Sequence, residues 1–373
     1  MPTAFTNTDY TVGWICALPT ELAASQAMLD EEHTDLPQAE NDINTYTLGE
    51  IGPHKVVLAC LPSGTTGISA AATAAKDLLR SFPKVRFGLV VGVGGGAPRK
   101  PSEDPREDIR LGDIVVSNPE GDCGKGRWIY LIKPGLTRCT GGVLQYDFGK
   151  TVKDGKFIQT GSLNKPPTVL MTGVSKLRAR HLRKGSAIQE HVDSMLKLNQ
   201  AMQQDFNYRN PEDDQLFQAD YDHMDGETDC KSCGEERLVQ RKSRSTNVPV
   251  IHYGLIGSAN RVMRHGVTRE KLRQERGILC FEMEAAGLMD NFPCLVIRGI
   301  CDYSDTHKNK NWQPYAAATA AAYAKELLGV IAPTQVEETP TAAGAIKVSL
   351  LHFPAHQVVL RKLFYPNIGL GQN

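Results

Sequence analysis

The chain has 373 residues, of which 42 are Lys or Arg and 42 are Asp or Glu, so its formal net charge is zero. This balance argues against a mainly electrostatic hold on nucleic acid or on an anionic membrane. With 41% apolar and 23% charged residues, the composition is typical of a globular protein, and no apolar run reaches the roughly 18–20 residues that span a bilayer. The first residues lack a secretory signal pattern, and we expect a cytoplasmic protein.

Strand-like and helix-like segments alternate along the first part of the chain. Residues 10–18 are typical of a buried strand, and Thr20, just after it, can cap a helix that starts at Glu21. Residues 87–92 are wholly apolar, as expected of a central strand that is covered on both faces. The other elements predicted here are a hairpin of strands 45–51 and 54–60 around Gly52, a helix at 67–82 and a strand at 114–117.

The middle of the chain, from about residue 118 to 247, is polar and has modest helical periodicity at 168–182 and 188–202. We predict a large, partly ordered insertion that forms no independent core. Regular structure resumes after it. The predicted elements there are strands 250–256, 277–281 and 294–298 and helices 268–276, 283–289 and 315–328.

The alternation of strands and helices predicts an α/β fold, a three-layer sandwich with a central mixed sheet and a large insertion. We place one catalytic domain at residues 10–332. The remaining residues, 333–373, begin with a stretch that contains two prolines and several polar residues, which is typical of a linker. We therefore predict a linker and a C-terminal tail after the domain.

Charged or small residues follow several of the predicted strands. Ligands collect at strand ends in such sheets, and charges kept beside apolar strands are candidate site residues because unpaired buried charges are costly. The segments are Ala17-Leu-Pro-Thr-Glu21, Ser63-Gly-Thr-Thr-Gly67, Gly92-Val-Gly-Gly-Gly96, Phe281-Glu-Met-Glu284 and Arg298-Gly-Ile-Cys-Asp302. Structural alternatives exist for each: an acid that favours a helix dipole at Glu21, a tight turn at the glycines, a first-turn acid at Glu284 and a loop cap at Asp302.

In this order, these segments resemble the nucleoside phosphorylase/nucleosidase superfamily, most of all its methylthioadenosine/S-adenosylhomocysteine nucleosidase branch. The stretch His252-Tyr-Gly-Leu-Ile-Gly and residues 299–309 are closer still to fungal members of the superfamily, which often form the leading domain of NACHT or ankyrin receptors. The resemblance covers about residues 10–332. The Met-Glu pair combined with Arg-x-x-x-Asp is its specific part, whereas the glycines alone are not specific.

The resemblance implies a purine nucleosidase. Breaking a purine–ribose bond requires an acid at the base, a stabilising group at the sugar and a nucleophile on the opposite face. Asp302 matches the base-side acid. This acid must be protonated to donate, and a desolvating pocket would favour its protonated form. Glu284 matches the carboxylate that binds the ribose hydroxyls, and Glu21 the acid that positions or deprotonates water. Arg298 is expected to orient Glu284 or another acid.

The resemblance also implies a set of substrate ligands around these acids. The expected residues are Met283 beneath the sugar, Glu282, Arg298, Gly94, Gly95, Ser258, Asn260 and Thr65. The chain around Ser258–Asn260 should face the purine. The positions that follow, 261–263, supply no aromatic ring, so stacking on the base would need another residue, such as Phe157 or Tyr303.

The nucleophile decides between hydrolysis and phosphorolysis. Phosphorylases of this superfamily bind phosphate with an Arg before the glycine turn and a Ser within it. Here these positions are Val90 and Val93, and the first turn offers Glu21. Two valines and a carboxylate would not solvate a phosphate dianion, so the sequence favours water. The alternatives are a phosphate-dependent purine nucleoside phosphorylase and a non-catalytic ligand-sensing module.

We expect a small-molecule purine nucleoside or nucleotide as the ligand, no cofactor, no nucleic acid or membrane partner, and a homo-oligomer, as relatives form. The basic runs at 176–184 and 241–244 leave two interpretations open. They are either solvated surfaces or contacts to the phosphates of a nucleotide, in which case AMP or ATP would be the substrate.

The nine cysteines include one pair, Cys230 and Cys233, with the spacing of metal ligands. A zinc site would need two more ligands, for which His223 and Cys123 or Cys139 are the candidates. A local disulfide is a second alternative. We expect reduced free thiols, because cytosolic proteins keep their cysteines reduced, and no metal, because nothing in the sequence supports the two further ligands.

Overall fold

The computed structural model describes residues 5–99, 101–119, 141–224 and 229–351. Its strands are β1 Val12–Cys16, β2 Glu31–His33, β3 Tyr46–Ile51, β4 His54–Cys60, β5 Phe87–Gly96, β6 Ile114–Ser117, β7 Val143–Gln145, β8 Gly149–Thr151, β9 Phe157–Gln159, β10 Ile251–Ser258, β11 Ile278–Glu282 and β12 Cys294–Asp302. Its helices are α1 Pro19–Gln26, α2 Ile68–Ser81, α3 Thr168–Lys184, α4 Ile188–Leu198, α5 Gln203–Phe206, α6 Gly266–Arg276, α7 Ala285–Leu288, α8 Gln313–Leu328, α9 Pro333–Glu338 and α10 Ala342–Leu351.

Ten strands form one mixed sheet in the order β11-β10-β6-β12-β5-β1-β4-β3-β2, with β7 paired to β10. β8 and β9 form a separate antiparallel pair. β11 also pairs with Gly95 and Gly96 at the end of β5, so that β5, β11, β10, β6 and β12 close into a circuit. This closure brings the ends of β5, β11 and β12 together. The short strand β2 lies at the edge of the sheet away from this circuit.

Helices cover both faces of the sheet. Residues of α1, α3, α4 and α8 pack in one core, and residues of α2 and α7 pack in a second core on the other face. Leu89 and Val91 of β5 belong to the first core and Val90 to the second, which is why consecutive residues of this strand are apolar. The predicted α/β sandwich with a central mixed sheet is confirmed.

Helix α8 lies directly against β12. Its buried surface is rich in alanine, and Gly299 of β12 has no side chain at the point where the helix crosses. A Cβ at Gly299 would lie 1.8 Å from the backbone oxygen of Ala316. Small residues on both elements therefore let the helix lie close to the strand that carries Arg298 and Asp302.

The structure refines the prediction for residues 118–247. Leu170 and Val174 of α3, and Ile188 and Met195 of α4, are buried in the same core as α8. The region forms no separate core in its described part, as expected, but two of its helices complete a layer of the domain. Both helices are amphipathic, and the apolar face of each must be covered by another element. Helix α8 covers them in this core.

The linker predicted after residue 332 is wrong for its first part. Helices α9 and α10 occupy most of residues 333–351, and Val336 and Ala342 are buried. A proline at the first position of α9 is compatible with a helix, because the N–H that it lacks has no partner within the helix at that position. Residues 352–373 lie outside the described part of the chain, and the division into a domain and a tail stays a prediction.

Seven cysteines lie in the part of the chain that the structure describes, and all seven are free thiols there. Five of them are buried: Cys16, Cys233, Cys280, Cys294 and Cys301. Cys123 and Cys139, the proposed zinc ligands, lie outside the described residues.

No helix among the described residues has the length and apolar composition of a membrane-crossing segment. The longest of them, α3, has 17 residues and carries several basic side chains.

We predict that Gly299→Ala destabilises the protein by about 1–3 kcal/mol, because the new methyl group meets helix backbone rather than a flexible side chain. Denaturant unfolding followed by circular dichroism measures the change. Gly329→Ala at the end of α8 is the matched control, since a Cβ there comes no closer than 3.4 Å to another atom. Equal stability of the two variants would show that α8 and β12 are less closely packed than described.

Candidate active site

Glu21 is a buried acid that joins the first helix to the central strand. It lies in the first turn of α1, where Oε2 accepts hydrogen bonds from the N–H groups of Ala17 (2.7 Å) and Leu18 (3.0 Å). Its Oε1 accepts a hydrogen bond of 2.7 Å from the N–H of Val93 in β5. Burial raises the pKa of the Glu21 carboxyl, although Arg298 and these N–H groups oppose the shift.

Arg298 is the buried cation of the site, with 1% of its surface exposed. Its Nη2 donates to Oε2 of Glu282 at 2.5 Å and lies 3.4 Å from Oε2 of Glu284. Burial would lower the pKa of the guanidinium, but Glu282, Glu284 and Glu21 together raise it. Oε2 of Glu282 also accepts hydrogen bonds from the N–H groups of Glu284 and Ala285. These two hydrogen bonds from backbone N–H groups to Glu282 hold the turn between β11 and α7.

Glu284 is held by the same guanidinium at the start of α7. Its Oε1 lies 3.3 Å from the N–H of Gly67, which precedes α2. Burial raises the pKa of Glu284 to about 7; the carboxylates of Glu282 and Glu21 contribute to the rise, and Arg298 opposes it. Glu284 thus changes charge near neutral pH, in a cluster where Arg298 compensates for several carboxylates.

Gly92 explains how the acid of α1 and the cation of β12 can both reach β5. A Cβ on Gly92 would lie 2.3 Å from Oε1 of Glu21 and 2.7 Å from Nη1 of Arg298. Any side chain at this position would displace one of the two charged groups. The glycine is therefore required by the close approach of Glu21 and Arg298, not by its backbone angles.

Asp302 lies at the other end of the glycine run. A Cβ on Gly95 would lie 2.6 Å from Oδ1 of Asp302 and 2.1 Å from Oγ of Ser304. Oδ1 accepts a hydrogen bond of 2.9 Å from the N–H of Ser304, and Oδ2 lies 2.8 Å from Nζ of Lys308. A register shift between Ile300 and Asp302 interrupts the pairing of β12 with β5, and such bulges re-aim the side chains beside them.

The charged residues of the site lie at two points along β5, at Gly92 and at Gly95. Gly92 and Gly95 are three residues apart on β5, which corresponds to roughly 10 Å. The structure therefore brings Glu21, Glu282, Glu284 and Arg298 into one cluster. It places Asp302 with Lys308 at the far end of the same glycine run.

Comparison with solved structures identifies this arrangement of strands and helices. Futalosine hydrolase of Helicobacter pylori superposes with a TM-score of 0.51 at 14% sequence identity, covering 87% of this chain and 99% of that one. The 5′-methylthioadenosine/S-adenosylhomocysteine nucleosidase of Neisseria meningitidis, in complex with methylthio-immucillin-A, gives a TM-score of 0.50 at 16% identity, covering 85% and 98%. The corresponding nucleosidase of H. pylori gives 0.51 at 14%, covering 86% and 98%.

The chain has the nucleoside phosphorylase/nucleosidase fold. This confirms the resemblance inferred from the sequence at the level of the fold. No protein-family model matches the chain.

A relative in sequence is a nucleotide-binding leucine-rich repeat (NLR)-like protein of Hyaloscypha variabilis. It is 48% identical over 328 residues, which is 87% of this chain but 30% of that protein. The chain therefore spans less than a third of the length of the curated relative that it matches.

Several predicted ligands occupy structural positions in this nucleosidase fold. Ser258 is buried, and its Oγ accepts a hydrogen bond from the N–H of Ala286 at 3.0 Å. Asn260 is exposed, and its side chain accepts from the N–H of Ile68 at the start of α2. Both residues therefore support the helix starts next to Glu284. Whether they also contact a ligand stays a prediction.

The remaining predicted ligands are Met283, Gly94 and Thr65. Met283 is partly buried, and its N–H lies 3.3 Å from Oε2 of Glu284. A Cβ on Gly94 would meet the side chain of Arg298 at 3.3 Å, so this glycine also gives room to the cation. Thr65 is exposed in a turn closed by its N–H and the oxygen of Pro62, and its side chain has no described contact with the acids.

The two candidates for stacking on a purine have different surroundings. Phe157 is 42% exposed on β9, in the separate two-stranded sheet. Tyr303 is buried, donates its hydroxyl hydrogen to Asp214 and lies beneath the guanidinium of Arg241. These contacts commit the Tyr303 ring to packing with residues 214–241.

Some residues of the two basic runs are bound to other protein groups. Arg241 contacts Asp214 and Asp108, and Arg244 makes two hydrogen bonds to Asp113. On α3, Lys176 donates to the oxygen of Val330 at 2.7 Å. These contacts favour the structural interpretation for residues 241–244 over contacts with nucleotide phosphates. In the run 176–184, Arg180, Arg183 and Lys184 are exposed, and both interpretations stay predictions.

Sequence reasoning missed Lys308 and Ser304. Both follow β12 in a loop, where no periodicity predicts the direction of a side chain. The available signal was the position of a cation six residues after Asp302. Burial would lower the pKa of the Lys308 ammonium, but the carboxylate of Asp302 and the thiol of Cys301 raise it overall.

We predict that Arg298→Met costs about 3–5 kcal/mol of stability at pH 8, because it leaves buried carboxylates without their cation. The loss should be smaller at pH 5.5. Without the guanidinium, the pKa values of Glu21 and Glu284 rise further above those of the unfolded chain, because Arg298 opposes their rise in the wild-type protein. The folded form then binds extra protons as the pH falls. Urea unfolding at both pH values measures this.

Lys242→Met, which removes an exposed ion pair with Glu103, is the control and should change stability little at either pH. A loss that is the same at pH 5.5 and pH 8 for Arg298→Met would contradict the coupling between Arg298 and the acids.

Proposed function

We propose that the chain is a purine nucleosidase, which hydrolyses the N-glycosidic bond of purine nucleosides (of the adenosine, inosine or guanosine type, or their nucleotides) to free base and ribose. The observation that carries the proposal is the glycine run of β5, with Glu21 and Arg298 against Gly92 and Asp302 against Gly95. Acidic groups at both ends of a short strand segment are what cleavage between a sugar and a leaving base requires. The fold of the solved nucleosidases supports the same reaction class.

In the proposed reaction, water attacks the anomeric carbon as the bond to the purine breaks. Glu21 orients the water and accepts its proton, and Glu284 binds the ribose hydroxyls, where positive charge develops on the ring. Asp302 hydrogen-bonds the purine nitrogen that receives a proton. The Lys308 ammonium lies 2.8 Å from Asp302 and supplies the proton, which passes through the Asp302 carboxyl to the purine nitrogen and leaves the lysine as a neutral amine. We therefore assign proton delivery to the Asp302–Lys308 pair rather than to a neutral Asp302 alone.

The raised pKa of Glu21 suits this role, because a carboxylate with increased basicity accepts a proton from water more readily. The three N–H groups that point at it keep the carboxylate fixed in one orientation. Orientation of the nucleophile accounts for a large part of the barrier reduction in such reactions.

Water is favoured over phosphate by the same contacts. The N–H of Val93, which could otherwise bind an anion, already donates to Glu21. Val90 is 2% exposed in the core and is not available to a ligand. A phosphate dianion at this point would face the Glu21 carboxylate. The repulsion between these two anions is large in a buried site. These observations disfavour the phosphorylase alternative.

The similarity to an NLR-like protein favours a second candidate function. In this alternative the chain is a ligand-sensing module of a larger receptor and binds a purine compound without turnover. The presence of Glu21 and Asp302 beside β5 and of Glu284 beside Arg298 supports catalysis. Catalysis is also compatible with a receptor context.

We predict that the protein releases free base and ribose from at least one of adenosine, inosine, guanosine, AMP and ATP (ribose phosphate from the nucleotides), at a rate independent of phosphate. Chromatography of base and sugar products, with and without phosphate, measures this. Ribose 1-phosphate formed only with phosphate would establish the phosphorylase instead. Absence of base release from all five compounds, with retained binding, would favour the sensing module.

We predict that Asp302→Asn lowers kcat by about 10²–10⁴-fold, the usual contribution of a general acid, while the fold is retained because Asn can still accept from Ser304. Steady-state kinetics and thermal unfolding measure both effects. Asp30→Asn is the matched control, since Asp30 also pairs with a lysine, Lys325 at 2.6 Å, but has no contact with the site. Near-normal turnover of Asp302→Asn would show that the base-side role is misassigned.

A further inference from the structure

Residues 214–241 lie against the loop that follows β12. The N–H of His223 donates to Oγ1 of Thr306 at 2.7 Å, and Phe217 and Tyr221 stack on the ring of His307 with centroid distances of 4.0 and 5.4 Å. Within this contact, one ligand-type atom each of His223, Cys230 and Cys233 lies within 4.8 Å of the others.

We propose that His223, Cys230, Cys233 and His307 bind a zinc ion. Two sulfur and two nitrogen ligands are a common set for structural zinc, and a separation of two residues between the cysteines is the usual spacing. The N–H of Cys233 donates to the oxygen of Cys230 at 3.1 Å. This closes a turn that places both sulfurs on one side.

His307 supplies the observation that points to a bound ligand. The side chain is buried, with 8% of the residue exposed, and neither ring nitrogen has a hydrogen-bond partner. Nδ1 faces Oδ1 of Asp305 at 3.6 Å, and Asp305 is itself paired with Arg269 at 2.9 Å. Metal-bound imidazoles usually have a carboxylate or carbonyl beside the nitrogen that does not bind the metal, and Asp305 takes this position beside Nδ1 of His307.

The surroundings of His223 are consistent with the same role. Its two ring nitrogens each lie 2.9 Å from a carbonyl oxygen, of Met224 and of Asp229. A neutral imidazole has one N–H, so it can donate to one of these oxygens and presents a lone pair to the other. A zinc ion about 2 Å from the unprotonated nitrogen takes the place of that carbonyl oxygen, so metal binding requires this oxygen to move away from the ring. The ring of His307 is 5.4 Å away, at an interplanar angle of 73°.

The expectation of no metal came from the lack of two further ligands near Cys230 and Cys233. His307 is 74 positions beyond Cys233 in the sequence, and the packing of the β12 loop against residues 214–241 brings its ring to within 5.4 Å of the ring of His223. Binding of Zn²⁺ to the two thiols releases two protons and involves no oxidation. The same ion would fix the loop that contains His307 and Lys308. Its effect on catalysis through Lys308 rests on the proposed function.

The test is the zinc content of the full chain, purified in reducing buffer with added zinc and then desalted. Mass spectrometry of the metal should give about one zinc per chain. Cys230→Ser and Cys233→Ser should each lower this content at least tenfold, and Cys60→Ser, at a half-buried thiol outside the cluster, should retain it. Cobalt added to the metal-free protein should give the visible bands of a tetrahedral thiolate site.

His307→Gln should weaken zinc binding at least tenfold in competition with a chromophoric chelator, with circular dichroism as the check that the variant folds. The proposal is overturned if the wild-type chain binds less than a tenth of an equivalent, if the cysteine variants retain full zinc, or if reduced, zinc-supplemented protein still contains a Cys230–Cys233 disulfide. Unchanged affinity in His307→Gln would overturn the assignment of the fourth ligand. None of these readouts depends on base release, so the zinc site and the nucleosidase activity can fail separately.

Discussion

The candidate site depends on one buried guanidinium. Arg298 compensates for Glu282 and Glu284 directly and lowers the cost of burying Glu21, and without it these acids could not remain charged away from water. The cation is fixed by the strand pairing of β12 and by α8, which lies on the neighbouring Gly299. The close packing of α8 against Gly299 thus helps to fix the position of the Arg298 charge.

The glycine run of β5 is the second constraint. A central strand is normally lined with side chains on both faces, but here Gly92, Gly94 and Gly95 leave space that Glu21, Arg298, Asp302 and Ser304 occupy. The absence of three side chains thus determines where Glu21 and Arg298 lie at one end of the run and Asp302 at the other. Because β11 closes onto Gly95 and Gly96, the turn that carries Glu284 is brought to the same place.

Much of this arrangement could be predicted from the sequence, because wholly apolar strands and strand-end acids are strong local signals. The acids of β12 and β11 are examples. Contacts between distant segments could not be predicted: Lys308 lies beside Asp302 through an irregular loop, and the ring of His307 contacts those of Phe217 and His223 through packing of that loop against residues 214–241. The interpretation of residues after 332 as a linker failed for a related reason, since burial of Val336 depends on a surface formed by other elements.

The edge strand β2 has a consequence for how copies of this chain can coexist at high concentration. It is only three residues long, and Glu31 and Glu32 on it are exposed. The free edge of so short a strand offers few backbone groups to an incoming chain. Two adjacent negative charges also repel the same strand of another copy. A high concentration of the chain would then not by itself lead to amyloid-like stacking through this edge.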